Sequence, residues 1–240
     1  MIRSDFEDGV GVLTLDRHER RNALDVQHCR ELRESATTLV DQGVRAVVIT
    51  GSGTTFSAGA DLDEVYSGEF RAALYAALHG IAALEVPVIA AVNGPAVGAG
   101  TQLALACDLR VAAPEAFFSV PTAKNGLAVD EWTIRRLASF AGGGTARAVL
   151  LGCERLDASA ALQRGLADRI GGLENAVGWA HEIAAMAPLS LRYSKSVLEL
   201  LCGSGAEPTG PGFEDCWNSH DVREARTARA ERRLPQFQGR

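Results

Sequence analysis

Residues 88–108 read VIAAVNGPAVGAGTQLALACD, and this stretch decides the fold. Its first five apolar residues predict a buried strand, residues 93–95 predict a tight turn, and residues 98–106 predict a helix that is buried on all sides. No charged residue occurs at 86–107, a length that would also suit a membrane span. Because proline, glycine and the polar Gln102 interrupt the stretch, we expect a buried strand, turn and helix and no membrane span.

A second stretch of small residues, FSAGADL at 56–62, follows the predicted strand at 45–50. Both stretches place small residues next to a strand end or a helix start, where backbone N–H groups lie bare. The dipole at a helix start also favours negative charge. Two such N–H donors that converge on one point would form an oxyanion hole. The residues alone leave a second interpretation equally open, in which the small side chains only allow tight packing.

Predicted strands and helices alternate around these two stretches. Short apolar runs predict strands at 2–6, 10–15, 45–50, 88–92, 109–112 and 117–120, with a hairpin turn at 7–9. Helical spacing predicts helices after Asp25, at 70–84, at 98–106 and from about Glu131 onward, with Asp157 as a further cap. A glycine-rich connection at 203–212 precedes a last predicted helix at 215–233. This order predicts an α/β or α+β fold.

Composition excludes several function classes. The chain has 240 residues, of which 47% are hydrophobic, and a net charge of −6. The acidic balance argues against broad nucleic-acid binding. The five cysteines lie far apart without a C-x-x-C pair, which favours a reducing cytoplasm and argues against disulfides or structural zinc. No Walker, G-x-S-x-G or H-E-x-x-H motif occurs, so we expect no metal site.

With four further segments, the two small-residue stretches resemble the signature motifs of the crotonase superfamily, the enoyl-CoA hydratase/isomerase family. The further segments are RNAL at 21–24, the run at 120–137, the stretch at 157–167 and LPQFQGR at 234–240. The resemblance implies a spiral of ββα turns in residues 1–190. It implies that residues 191–240 form a helical region that builds trimers, often paired into hexamers. The implied ligand or substrate is an acyl-coenzyme A thioester, with no other cofactor.

The resemblance also assigns roles by position. It implies that the backbone N–H groups of Ala60 and Ala99 hold the thioester carbonyl oxygen, with Ala99 standing where the family usually has glycine. The residues that it places near coenzyme A are Arg21, Ala23, Leu24, Ala58, Asp61 and Leu62. Phe237 would either reach the coenzyme A of a neighbouring subunit or pack at the chain end. Trp132 would either line the acyl pocket or fill the core.

Both catalytic positions depart from the family pattern. Where the family uses two glutamates, this sequence has Gln102 and Thr122. Hydration of a 2-enoyl thioester needs a base for water and a proton donor for the α-carbon, and neither an amide nor an unassisted hydroxyl supplies these near neutral pH. We therefore expect an acyl-CoA binding protein without hydratase activity. It is similar in this respect to mycobacterial members of the family that lack both glutamates and bind fatty acyl-CoA.

Asp130 keeps an enzymatic alternative open. It lies eight residues past Thr122, where some relatives, including dienoyl-CoA isomerases and a dehalogenase, place a working aspartate. A buried carboxylate there could move a proton in an isomerase or a weak hydratase. Its place before Glu131 also predicts the N-cap of a helix. A third class, a structural oligomer without a ligand, would bind no acyl-CoA at all.

Overall fold

The main sheet of the chain has six strands. The computed structural model describes residues 1–202 and 212–240. In spatial order the strands are β1 (Ile2–Glu7), β2 (Val10–Leu15), β3 (Ala46–Gly51), β4 (Val88–Val92), β6 (Leu109–Ala112) and β9 (Arg169–Ile170). β1 pairs antiparallel with β2, and every later pair is parallel. Parallel strands covered on both faces are buried along their length, and every residue of β3 and β4 is buried accordingly.

Several helices begin at a side-chain cap, and others begin without one. In the described ranges they are α1 (Val26–Asp41), α2 (Gly68–Ala82), α3 (Ala99–Ala106), α4 (Glu131–Leu150), α5 (Ala158–Gln163), α6 (Leu173–Ala184), α7 (Pro188–Leu201), α8 (Phe213–Asn218) and α9 (His220–Glu231). The predicted N-caps Asp25, Asp130 and Asp157 are confirmed, since each side chain accepts a backbone N–H three residues later. All eight residues of α3 are buried, as predicted.

A second sheet of three strands was not predicted in full. It consists of β5 (Pro95–Val97), β7 (Phe117–Ser119) and β8 (Leu156–Asp157). Strands of two or three residues, such as β5, β8 and β9, offer too few positions to show a periodicity. The last helix, predicted at 215–233, is divided into α8 and α9. Ser219 separates them because its backbone is extended and its side chain caps α9.

The six-stranded sheet is covered by helices on both faces. Val47 and Ile49 of β3 point toward the cluster that includes residues of α1, α2 and α3. Ala46 and Val48 point the other way, toward α6. This alternation confirms the predicted α/β class. The loops that leave the carboxyl ends of β3 and β4 therefore meet at one edge of the sheet, where Ser57 pairs with Ala96.

The proposed division into residues 1–190 and 191–240 stays a prediction, as does the trimer or hexamer. Residue 190 lies inside α7, which begins at Pro188. The flexible connection predicted at 203–212 lies, apart from Gly212, outside the described residues. No helix in the described ranges has both the length and the apolar character that crossing a membrane requires.

Candidate functional site

Two loops and the segment at 21–24 are held together by backbone hydrogen bonds. The Leu24 N–H donates to the Gly59 oxygen at 2.8 Å, and the Asp61 N–H donates to the Leu24 oxygen at 2.7 Å. The loop after β3 also pairs with β5, because the Val97 N–H donates to the Ser57 oxygen at 3.0 Å. These bonds fix the backbone around Ala60 relative to the start of α3.

Glycine allows the two loops to approach closely. A Cβ on Gly59 would lie 2.6 Å from the Val97 oxygen, and Gly59 has a φ of 98°. A Cβ on Gly100 would lie 2.3 Å from the Ser57 oxygen. Real Cβ atoms do not approach backbone oxygens this closely, so both positions require glycine. Ala99, by contrast, accommodates its methyl group as the first residue of α3.

The backbone N–H groups of Ala60 and Ala99 are left without a protein partner. The bridge between Leu24 and Ala60 uses the Gly59 oxygen and the Asp61 N–H, so it leaves the Ala60 N–H unused. Ala99 begins α3, and the first N–H groups of a helix have no acceptor within that helix. Within residues 1–202 and 212–240 neither N–H donates a hydrogen bond. Both residues line the same cavity of about 410 Å³.

This cavity offers two bare donors at the positive end of a helix dipole. Such an arrangement suits an oxygen that carries partial or full negative charge, as a thioester carbonyl does when it is polarised. The geometry is compatible with both interpretations of the small-residue stretches, since Gly59 and Gly100 allow close packing and the N–H groups of Ala60 and Ala99 stay open. Ala58 and Leu62, both predicted to lie near coenzyme A, also line the cavity.

The cavity wall is poor in groups that move protons. Its polar side chains, among the described residues, are those of Tyr66, Arg71, Tyr75, Gln102, Thr122 and Asn125. No carboxylate, imidazole or thiol lines the cavity in the part of the chain that the structure describes. Gln102 and Thr122, the residues at the predicted catalytic positions, are both present in the wall. The wall can therefore donate hydrogen bonds, but it lacks an ordinary general base.

Asp130 lies behind Gln102 and does not line the cavity. Its Oδ1 accepts the Thr133 N–H at 3.3 Å and also the Thr133 hydroxyl proton. The Thr133 Oγ1 in turn accepts a hydrogen bond from Gln102 Nε2 at 2.9 Å. His79 Nε2 lies 3.9 Å from the other Asp130 oxygen. The capping role of Asp130 is confirmed, and a chain of hydrogen bonds connects its carboxylate to the cavity wall.

Asp61 fixes the loop that follows Ala60. Its carboxylate accepts the Asp63 N–H at 3.1 Å and pairs with Arg17 at 2.8 Å. The Asp63 N–H and the Arg17 guanidinium hold the pKa of Asp61 below its usual value, against the opposing effect of burial. Asp61, Arg21, Ala23 and Leu24 surround the loop without lining the cavity. Their predicted contacts with coenzyme A stay predictions.

Trp132 and Phe237 lie outside the cavity wall. The Trp132 ring contacts the Arg136 guanidinium at 4.8 Å and packs partly buried against the core. The Phe237 carbonyl accepts a hydrogen bond from Arg45, which precedes β3 and so lies at the opposite end of that strand from the cavity. Within one chain Phe237 therefore packs away from the site. Its predicted role at a neighbouring subunit stays a prediction.

Sequence reasoning missed three residues of the site. Tyr75 lines the cavity, Thr133 orients Gln102, and Asn22 donates to the Thr55 oxygen at 2.7 Å. Asn22 was visible only as part of the RNAL segment. Tyr75 follows Leu74 of the apolar face of α2, and a tyrosine at the margin of such a face often places its hydroxyl in a pocket.

Residues 5–240 match the family model described as Enoyl-CoA hydratase/isomerase. The chain belongs to the enoyl-CoA hydratase/isomerase family. Among family relatives, it is 48% identical to the Mycobacterium tuberculosis protein named "Probable enoyl-CoA hydratase echA6", over 100% of both chains. It is 34% identical to the 2,3-dehydroadipyl-CoA hydratase of Escherichia coli, over 96% of both chains.

Solved structures of the enoyl-CoA hydratase/isomerase family share the fold. The crystal structure of an enoyl-CoA hydratase/carnithine racemase from Magnetospirillum magneticum has a TM-score of 0.88 and 28% identity. The alignment covers 100% of this chain and 96% of that one. The crotonase resemblance and the predicted fold class are both confirmed.

Proposed function

We propose that this protein binds acyl-CoA thioesters and does not hydrate enoyl-CoA. One observation carries the proposal: the cavity presents the two unpartnered N–H groups of Ala60 and Ala99, while no carboxylate or imidazole lines it in the described residues. The N–H pair supplies what a thioester carbonyl oxygen needs for binding. The wall lacks the general base and the proton donor that the addition of water needs.

Side chains at the two catalytic positions support the absence of hydration. Each positioned acid or base contributes a factor of about 10²–10⁴ to such a reaction. Gln102 cannot take a proton from water, and its Nε2 is already committed to Thr133 at 2.9 Å. Thr122 begins a short 3-10 helix at Thr122–Asn125, with no base among its hydrogen-bond partners in the described chain. We infer that an enoyl thioester would remain unchanged in this cavity.

An isomerase or weak hydratase is the alternative, and one observation favours it. Asp130 connects through Thr133 to Gln102 by consecutive hydrogen bonds, so a proton could travel along this chain. Against it, the Asp130 carboxylate is occupied in capping α4 and lies outside the cavity wall. The binding function requires no such relay.

Calorimetric titration with octanoyl-CoA, followed by chromatography and mass analysis of incubated crotonyl-CoA and 3-enoyl-CoA, tests the proposal. We expect octanoyl-CoA to bind with a Kd near micromolar or below, and both unsaturated thioesters to return unchanged. Turnover that disappears in Asp130→Asn but persists in Glu131→Gln would establish the enzymatic alternative. An absence of binding to any thioester would leave only a structural oligomer.

Assembly and location form part of the proposal. We infer a homotrimer or hexamer that uses residues 191–240, because large apolar side chains there are exposed in the single chain, including Leu198 at 59% and Leu234 at 87%. Sedimentation velocity measures this assembly directly. We also infer a cytoplasmic location, since all five cysteines are free thiols.

A further inference from the structure

Tyr75 presents a hydroxyl group to the cavity, and its oxygen is held from behind. The residue lies on α2 and lines the cavity beside Gln102. The Asp130 backbone N–H and the Gln102 side chain act on this hydroxyl, and both favour its ionised form and lower its pKa. A tyrosine oxygen has two acceptor sites and one proton to give. Tyr75 lines the cavity, so its hydroxyl proton is available to an acceptor on a ligand.

Surrounding charges keep this group a donor. Burial, followed by the negative charge of Asp130, raises the pKa of Tyr75, while the two hydrogen bonds and Arg71 oppose the shift. The phenol therefore stays protonated at neutral pH. An acceptor in the cavity would complete its hydrogen bonds, whereas an apolar neighbour would leave a half-buried O–H unpaired.

Gln102 is oriented as a donor by the residues behind it. The Asp130 carboxylate can only accept, so the Thr133 hydroxyl proton points to it. The Thr133 oxygen then accepts from Gln102 Nε2, which fixes which end of the amide faces Thr133 and Tyr75. Asp130, the cap of α4, thus orients Thr133, and Thr133 orients the Gln102 amide. As a result, the N–H groups of Gln102 lie near the O–H group of Tyr75.

Donors consequently occupy two places in one cavity. The first is the pair of N–H groups at Ala60 and Ala99, and the second is Tyr75 beside Gln102. Gln102 lies three residues after Ala99, so their Cβ atoms are neighbours at about 5–6 Å on one face of α3. A ligand that satisfies both places needs two acceptor oxygens separated by a short carbon spacer. In an acyl thioester, the carbonyl oxygen is the first and an oxygen on carbon 3 is within reach of the second.

We propose that Tyr75 is a specificity-determining residue that selects 3-oxoacyl thioesters over saturated ones. This inference rests on the proposed function, because the thioester must first be held at Ala60 and Ala99. A 3-oxo group can only accept hydrogen bonds. It therefore matches the hydroxyl proton of Tyr75, which has no other acceptor in the described wall. A saturated chain offers nothing at that point, and sites built around a polar contact reject analogues that lack it.

Calorimetric titration of the full chain with acetoacetyl-CoA and with butyryl-CoA tests the inference. The two ligands differ by the 3-oxo group alone. We expect the wild-type protein to bind acetoacetyl-CoA about five- to tenfold more tightly, the value of one neutral hydrogen bond. In Tyr75→Phe the ratio of the two affinities should fall to about one, because only acetoacetyl-CoA loses a hydrogen bond. Tyr193→Phe, which removes a hydroxyl from α7, should keep the wild-type ratio.

Two results would overturn the inference: equal affinities in the wild-type protein, or a preference for acetoacetyl-CoA that survives in Tyr75→Phe. A purely structural role for Tyr75 would weaken both ligands equally and would also overturn it. If butyryl-CoA binds and only the preference is missing, the proposed function stands and this inference fails. If neither thioester binds, both fail together.

Discussion

The two ends of α3 differ in whether their backbone groups have hydrogen-bond partners. At the carboxyl end, two buried arginines fill the vacant acceptors: Arg110 donates to the Cys107 oxygen at 2.9 Å, and Arg136 donates to the Leu105 oxygen at 2.6 Å. The Cys107 thiol donates to the Leu103 oxygen at 3.4 Å. At the amino end, Ala99 lines the cavity, and its N–H has no protein partner in the described residues.

This difference separates groups that stabilise the fold from groups to which we assign ligand binding in the proposed function. Every helix leaves about four N–H and four C=O groups unsatisfied, and a buried helix must satisfy them or lose stability. The chain satisfies the carboxyl end with side chains from other elements. It leaves a donor open at the amino end, beside a second open donor at Ala60. An unpaired buried donor requires an explanation, and a bound ligand is the explanation that the proposed function gives.

Removal of an arginine from the carboxyl end of α3, called here the closed end because its acceptors are filled, should have the largest effect. Arg136 is fully buried, bonds to carbonyls at the end of α3 and pairs with Glu199 at 2.7 Å. In Arg136→Met the carbonyls and the Glu199 charge lose their partner, so we expect the free energy of unfolding to fall by about 3–5 kcal/mol. Urea denaturation measures the change.

Arg135→Met is the matched control for this experiment. Arg135 is the next residue of α4, and its side chain is 55% exposed and pairs with Glu131 at the surface. Exposed pairs contribute about 0–1 kcal/mol, so the control should stay near the wild-type stability. Because arginine and methionine have similar helix propensities, similar losses in both variants would show that the loss does not come from the contacts of Arg136 with α3.

A change at the open end should affect binding more than folding. Ala99→Pro removes one N–H at the first position of a helix, where proline is tolerated. We expect the affinity for octanoyl-CoA to fall about tenfold or more, since a hydrogen bond to the thioester oxygen is lost. Unfolding free energy should change by less than about 1 kcal/mol. Ala99→Gly keeps the N–H and should bind as the wild type does; equal binding by both variants would remove Ala99 from the site.

The smallest expected effect is on the reactivity of the Cys107 thiol at the closed end of α3. Burial raises the pKa of Cys107 to about 12, so at pH 8 only about one thiol in 10⁴ is ionised and reactive. Iodoacetamide should label the half-buried Cys153 well before Cys107 in the folded protein, and both after unfolding in urea. Peptide mass mapping follows the two sites. Equal labelling of both in the folded state would mean that the carboxyl end of α3 opens readily.

The sequence predicted the elements of the fold where a local rule applies. Asp25, Asp130 and Asp157 were recognised as caps because a capping side chain acts within three residues. The buried α3 followed from its apolar run. The strands β5, β8 and β9 have only two or three residues and form because they pair with distant segments. No local pattern in the sequence therefore indicates them.

The site was predictable in its backbone and less so in its side chains. Ala60 and Ala99 came from small-residue motifs, which report close approach of the main chain. Tyr75 and Thr133 belong to α2 and α4, and their contacts with Gln102 depend on how those helices pack. The same holds for Arg136, which follows the exposed Arg135 directly and gave no sign in the sequence that it would be buried.

The donors that we propose for binding the thioester oxygen belong to the main chain, and under that proposal this has a consequence for how the family can change. A substitution other than proline at Ala60 or Ala99 keeps the N–H, whereas one nucleotide change can exchange the side chain at Gln102 or Thr122. Ligand capture is thereby inherited robustly, while the chemistry performed on the captured ligand is open to revision. A lineage built on this fold can exchange a reaction for a preference among thioesters without rebuilding the place where the thioester sits.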